Sequence, residues 1–152
     1  MNQTNKNTIL HRHLGLPEEG NYCFDRTTTK WDEVKDRLMT HPREAVIRDV
    51  HKGDLPLKIA LENWTSPIPA DVVYAFIQAY PDSCNIWMFN YACSLYHTSV
   101  ACVEVFLNFD PKLLLKIDRF GSSPLHAAAG FANTDVAKLL IDRYPQSLNL
   151  RD

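Results

Sequence analysis

Four prolines constrain this chain more than any other feature. Pro42, Pro81, Pro111 and Pro145 close similar helical stretches, in the contexts Thr40-His41-Pro42, Ala79-Tyr80-Pro81, Phe109-Asp110-Pro111 and Arg143-Tyr144-Pro145. They lie 39, 30 and 34 residues apart. Proline disfavours helical backbone at the residue before it, so each one ends a helix. Recurrence at this spacing means stacked supersecondary units, none of which buries its apolar face alone. The expected fold is therefore all-α and repetitive.

The best-formed copy runs Asp118-Arg119-Phe120-Gly121-Ser122-Ser123-Pro124-Leu125-His126-Ala127-Ala128-Ala129-Gly130, then Asp135-Val136-Ala137-Lys138-Leu139-Leu140-Ile141 to Tyr144-Pro145. It resembles the ankyrin repeat, in which a turn leads into a Thr-Pro-Leu-His helix start and a second, antiparallel helix. A second copy aligns Leu55-Pro56-Leu57-Lys58-Ile59-Ala60 with Ser123-Pro124-Leu125-His126-Ala127-Ala128, and treats Gly53 and Gly121 as equivalent turn glycines. Glycine suits such a turn because positive φ costs it little. Proline suits the first helical position, where its missing N–H sacrifices no intrahelical bond. Trp64-Thr65-Ser66-Pro67-Ile68-Pro69 lengthens this copy and reads as a protruding loop.

Between Cys84 and Phe109 a degenerate copy holds two apolar helices, around Met88–Tyr96 and Val100–Leu107, without the Gly-x-x-Pro turn. Aligned on the prolines, its Tyr91 falls opposite Leu125. Upstream, Thr29 and Asp32 suggest a capping box, and Trp31, Val34 and Leu38 share one helical face: half a repeat, the outer helix only. The resemblance spans roughly residues 30–152 and implies an ankyrin-like helical-hairpin solenoid of about three repeats plus an N-terminal half-repeat. Residues 1–28 read as a mobile tail and irregular cap, with Leu14, Leu16, Tyr22 and Phe24 covering the open end, and residues 29–152 as the ankyrin-like repeat domain. At the other end Asp152 occupies the position that opens a further turn: either the chain is a piece of a longer array or a partner covers its final face, and the favoured expectation is an exposed binding edge or an unusual cap.

Composition narrows the function classes. Hydrophobic residues make up 45% and charged residues 22%, the mixture of a globular chain. Sixteen Lys and Arg against 18 Asp and Glu give a net charge of −2, with no basic cluster of the kind nucleic acid requires. No apolar run is long enough to span a bilayer, and the polar start Met1-Asn2-Gln3-Thr4-Asn5-Lys6-Asn7 does not read as a signal peptide. Four cysteines (Cys23, Cys84, Cys93 and Cys102) are too few for a secreted disulfide scaffold. An intracellular protein, cytoplasmic or nuclear, is the expectation, and the Asn-x-Thr matches at Asn2 and Asn63 are then idle.

Signs of catalysis are sparse. His126 holds the histidine position of the ankyrin turn, for which the resemblance implies hydrogen bonding between turns; Lys58, its equivalent, departs from the pattern because an ammonium accepts no hydrogen bond. Phosphate-binding loops, zinc-protease helices and nucleophile elbows are absent. Cys84, Cys93 and Cys102 are nine residues apart, unlike paired zinc ligands, and His11-x-His13 is a weak metal signal. No catalytic residue, metal or cofactor is expected.

The resemblance implies a protein–protein interaction module, adaptor or scaffold, that binds through its turn tips and inner-helix face. The tip candidates are Val50, His51, Lys52, Arg119 and Phe120; those on the inner helices are Lys58, Glu62, Trp87, Phe89, Asn90 and Tyr91. Aromatic residues weigh heavily at interfaces, although Trp87 and Phe89 serve equally as core of the degenerate copy. Trp64, in its polar loop, is a further contact candidate. Gly53, Pro56, Gly121, Pro124 and His126 are assigned structural turn roles. The alternative is a structural subunit of an oligomer or larger assembly that uses the open C-terminal face; an enzyme or metal-dependent sensor using His126 and the cysteines ranks last.

Overall fold

A computed structural model describes residues 8–16 and 29–145. The chain gathers into two compact units, Met1–Pro81 and Asp82–Asp152. The first contains α1 (Ile9–His13), α2 (Trp31–Thr40), α3 (Pro56–Leu61) and α4 (Ala70–Ala79); the second contains α5 (Ile86–Ser94), α6 (Val100–Phe109), α7 (Pro124–Gly130) and α8 (Thr134–Arg143). Every regular element among the described residues is helical. The fold class is the all-α, helical-hairpin kind of an ankyrin-like repeat.

The prolines act as the sequence predicts. Helices α2, α4, α6 and α8 are each 10 residues long and stop two residues short of Pro42, Pro81, Pro111 and Pro145. The intervening residues, His41, Tyr80, Asp110 and Tyr144, have left helical geometry, with φ of −135, −143, −141 and −146. Each still donates its amide to the carbonyl four residues back, of Arg37, Phe76, Phe106 or Leu140. A 3₁₀ turn then opens at Pro42, Pro81 and Pro111.

Within the first unit α2 packs on α1 and α4, and Val34, Leu38, Val72, Val73, Phe76 and Ile77 are buried. Within the second, α5 packs on α7, α6 on α8, and α7 on α8. Phe89 and Phe106 meet at 5.8 Å between ring centroids, among buried Met88, Val103, Leu113, Val136 and Leu140. Each such large side chain contributes about 1.5–3 kcal/mol by leaving water.

Two turns carry the same construction. Asp49 Oδ1 accepts the amides of His51 and Lys52 while Oδ2 accepts that of Asp54; Asp118 Oδ1 accepts those of Phe120 and Ser122. Gly53 and Gly121 adopt φ of +70 and +84, the left-handed region glycine enters without strain. Their equivalence is conformational rather than numerical. Gly53 bonds back to Asp49 across four residues and Gly121 to Asp118 across three, so the first turn carries one residue more.

Three expectations change. Thr29 does not cap α2: the N-cap is Lys30, which makes no side-chain cap bond, and the Thr29 hydroxyl instead accepts Asn63 Nδ2 at 3.0 Å. The helix begins one residue later than a Thr29 cap requires, and Lys30 pairs with Glu33 at 2.9 Å. Second, residues 9–13, expected to be irregular, form α1 against α2. Thr8 and His11 cap it reciprocally, as Ser123 and His126 cap α7, so Thr8-Ile9-Leu10-His11 is a divergent copy of Ser123-Pro124-Leu125-His126. Leu10, Leu14 and Leu16 are buried; of the expected tail and cap over residues 1–28, residues 1–7 and 17–28, with Tyr22 and Phe24, lie outside the described residues. Third, the register of α5 changes: the unit lacks the glycine turn, as the sequence predicts, and α5 is capped by Asn85 directly after the 3₁₀ turn Pro81–Ser83. Matching N-caps puts Asn85 opposite Ser123, which shifts Tyr91 out of register with Leu125.

Candidate functional site

The inner pair α5 and α7, with the turn Asp118–Ser122, encloses an open groove of about 390 Å³ in the second unit. From α5 come Trp87, Asn90, Tyr91 and Ser94; from the turn Asp118, Phe120 and Ser122; from α7 and its end His126, Ala127 and Phe131. The alanines of α7 let α5 approach. Trp87 and Tyr91 are four residues apart and so share a helical face. Their rings stack at 5.7 Å with an interplanar angle of 5°. Phe120 and Phe131, 73% and 66% exposed, also line the groove. Arg119 places its guanidinium carbon 4.8 Å from the Phe120 ring centroid.

A polar clamp holds this wall in place. Asn90, 5% exposed, donates Nδ2 to Asp118 Oδ2 at 3.1 Å and to the Ser122 carbonyl at 2.9 Å. Partial burial would raise the pKa of Asp118, but the Asn90 amide and the Ser122 and Phe120 N–H groups hold it below the usual carboxylate range. Asp118 is thus a turn anchor. Phe120 stands at the tip of this hydrogen-bonded turn.

The fold separates the sequence candidates. Trp87, Tyr91, Asn90 and Phe120 converge on the groove, and Arg119 stands beside it. Phe89 does not join them: it is fully buried against Phe106 and belongs to the core. Val50 is half-buried and His51 and Lys52 are exposed at the first unit's tip. Lys58 and Glu62 are tied up with each other at 2.8 Å, and Lys58 Nζ reaches Asp54 at 2.7 Å. Burial alone would lower the Lys58 pKa, but these two carboxylates raise it. Trp64 is 64% exposed on its loop, which is fastened by Asn63 to Ser66 and Thr29. Asn63 itself is buried with both amide atoms engaged.

Phe131 and Ser94 escaped the sequence reading. The available signal was an aromatic residue directly after the helix-ending Gly130, at the mouth of the inner helix.

Histidine and cysteine take structural places. His126 Nδ1 lies 3.0 Å from Ser123 Oγ, and His11 Nδ1 lies 2.9 Å from Thr8 Oγ1. At both helix starts the N-cap hydroxyl accepts the N3 amide while the N-cap amide donates back to the N3 imidazole Nδ1, which is a capping box. Pro56 and Pro124 are buried at the first positions of α3 and α7. Burial pushes the Cys84 thiol up to about 11 and that of Cys93 higher still, while Cys102 is fully buried; Cys23 lies outside the described residues. Among the described residues no group of three or more His, Cys, Asp or Glu is placed to hold a metal ion, and no helix is long and apolar enough to cross a membrane.

Residues 120–152 match the family model of the ankyrin repeat. No curated protein and no solved structure gives a significant match. Ankyrin repeats are, as a family, protein–protein interaction modules. The matched repeat includes the Phe120 tip and α7, the second wall of the groove, and its capped hairpin recurs with variation along the described residues. The match places an ankyrin repeat at residues 120–152, and the helical hairpins before it are similar to that family in kind.

Proposed function

We propose that this chain is a non-enzymatic adaptor or scaffold that binds a partner protein through the α5–α7 groove. The observation that carries this reading is the convergence of Trp87, Tyr91, Phe120 and Phe131 on one open surface beside a clamped turn. Such side chains bury much area at modest entropic cost, and the hydrogen-bonded turn beneath Phe120 reduces it further. A protein-binding role fits the family; the adaptor role and the contact residues are our assignment. Intracellular residence accords with free thiols at Cys84, Cys93 and Cys102.

The groove's polar groups serve the fold rather than catalysis. Asp118 accepts the Asn90 amide and the Phe120 and Ser122 N–H groups, Ser94 Oγ donates to the Tyr91 carbonyl, and His126 faces its own capping serine, which is 1% exposed. A nucleophile needs a base within reach and an open approach, and Ser123 lacks the approach.

The test is cross-linking and identification of partners on the full chain, with Trp87→Ala/Phe131→Ala compared with Trp64→Ala. Loss of a defined partner in the first variant and retention in the second is expected. Equal retention in both would place the interaction elsewhere.

A further inference from the structure

The first helix is held by a bond that a proton destroys. We infer that α1 is a proton-released cap: protonation of the enclosed His11 ring undoes its reciprocal bond with Thr8 and favours release of the helix from α2, while the rest of the first unit stays folded. The α5–α7 groove plays no part in this.

The cap fixes the state of the ring. Thr8 donates its backbone N–H to His11 Nδ1 at 3.1 Å, so Nδ1 presents a lone pair and the hydrogen of the neutral ring sits on Nε2. An imidazolium carries hydrogen on both nitrogens and accepts nothing. The Thr8 hydroxyl, 2.9 Å away, can take the new hydrogen, but the Thr8 amide then loses its acceptor. The proton also places a charge on a residue that is 0% exposed. Leaving that enclosure hydrates the ring. The same box at α7 lacks the enclosure, since His126 is half-exposed.

Charged groups around the ring pull the other way and lose. From the segment after α2, Glu44, Asp49 and the Ile47 carbonyl act on it; Arg37 of α2 reaches Glu44. On α1 itself Arg12 adds positive charge, and Glu33 of α2 lies 3.9 Å from His13. Burial opposes a proton on His11 and outweighs the two carboxylates, holding its pKa below the ordinary 6.5. Acid therefore favours whichever state exposes the ring. At 5 residues α1 is too short to persist alone, so it is the element able to leave, while α2 stays packed on α4.

Hydrogen exchange on the full chain, followed amide by amide and corrected for intrinsic rates at each pH, tests this. Opening of α1 is read at Leu14 and Gly15, whose amides bond to the carbonyls of Leu10, His11 and Arg12. It should rise by up to about tenfold per pH unit below 6.5, the slope of one proton, and level off where the His11 ring nitrogens titrate. The amides of α4 should not follow. In His11→Gln a side-chain carbonyl accepts the Thr8 amide without titrating, so the profile should be flat above the carboxylate range; His13→Gln should behave as the parent. A flat profile in the parent, an equal rise in His11→Gln, or a rise shared by α4 would overturn the inference. Should His11→Gln fail to form α1 at neutral pH, nitrogen resonances of the parent decide. A neutral His11 ring with its hydrogen on Nδ1, or levelling at a pH where His11 does not titrate, would overturn it equally.

Discussion

Asn133 supports the most exacting prediction. It lies at the N-cap of α8, 5% exposed, and its side chain works in two directions. Oδ1 accepts the Val136 amide at 3.3 Å, an ordinary cap. Nδ2 reaches back to the preceding hairpin, donating to the Leu95 carbonyl at 2.7 Å and the Thr98 carbonyl at 3.3 Å. These bonds satisfy acceptors in the α5–α6 loop, so one residue caps its own helix and fastens it to the hairpin before. Removing the cap alone costs about 1 kcal/mol. Each lost interhelical bond adds about 0.5–1.5 kcal/mol, and more where the carbonyl stays dry. Asn133→Ala should therefore lose about 2–4 kcal/mol, roughly 4–16 °C in melting temperature for a chain of this size.

Two further variants separate the roles. Serine and aspartate both cap well, and aspartate also favours the positive end of the helix dipole. If Asn133 were only a cap, Asn133→Ser would be neutral and Asn133→Asp neutral or stabilising. Neither keeps the amide donor, and aspartate sets an anionic oxygen against two carbonyls. Both should lose at least about 1 kcal/mol, aspartate the more. Urea titration followed by far-ultraviolet circular dichroism measures this directly. A stability in Asn133→Asp at or above that of the parent would refute the reasoning.

The remaining predictions concern turns, acid and the core. Gly53→Ala and Gly121→Ala meet no clash, so each should lose about 1 kcal/mol from left-handed backbone alone, whereas Ala132→Gly, at the positive φ of 58, should gain a similar amount less its entropy cost; urea midpoints decide. Stability should fall in two stages on acidification. Burial holds His11 below its ordinary 6.5, so the folded state resists a proton the unfolded chain accepts, and stability present above 6.5 declines as pH drops towards the folded value. Glu44 comes next. Burial would raise its pKa, but Arg37 and the Leu10 amide hold it below 4.5, so its contribution is present above 4.5 and lost as pH falls through the folded value. Titrating the urea midpoint against pH should show His11→Gln flattening the upper stage and Glu44→Gln making the lower one shallower. Finally, Phe89→Ala should lose about 3–5 kcal/mol as a core cavity, while Phe120→Ala should change stability by less than about 0.5 kcal/mol and weaken binding instead. Thermal melts paired with partner cross-linking check the contrast.

What was legible in the sequence follows from which residues have only one physical use. Proline before a 3₁₀ turn ends a helix wherever it stands, so Pro42, Pro81, Pro111 and Pro145 marked the helix ends α2, α4, α6 and α8, and the helix starts keep the prolines' spacing. Gly53 and Gly121 were legible for the same reason: few other residues enter that backbone region cheaply. Residues with several uses misled. Thr29 had the right chemistry to cap α2, but it serves as an acceptor for Asn63, a partner 34 residues away that no local pattern reveals. Phe89 and Trp87 are two residues apart on α5, yet one is core and the other half-exposed. Which face points inward depends on where α5 starts, and the missing turn before Asn85 moved that start.

Helix α1 was hidden more deeply, because Thr8-Ile9-Leu10-His11 lacks the proline and alanines of its counterpart in α7. What survives is the reciprocal threonine–histidine cap, together with Glu44 Oε2 receiving the Leu10 amide at 2.9 Å. Glu44 is held in turn by Arg37 of α2, so the shortest helix is positioned by a side chain from the 3₁₀ turn that follows the next one. A repeat can lose its consensus residues and keep its place when a buried polar network takes over the alignment that close packing supplies elsewhere. Breaking that network at Glu44 should accordingly release α1 from α2 before the rest of the first unit melts. Hydrogen exchange would show it as early loss of protection at Leu14 and Gly15, whose amides bond back into α1, with the amides of α4 unchanged.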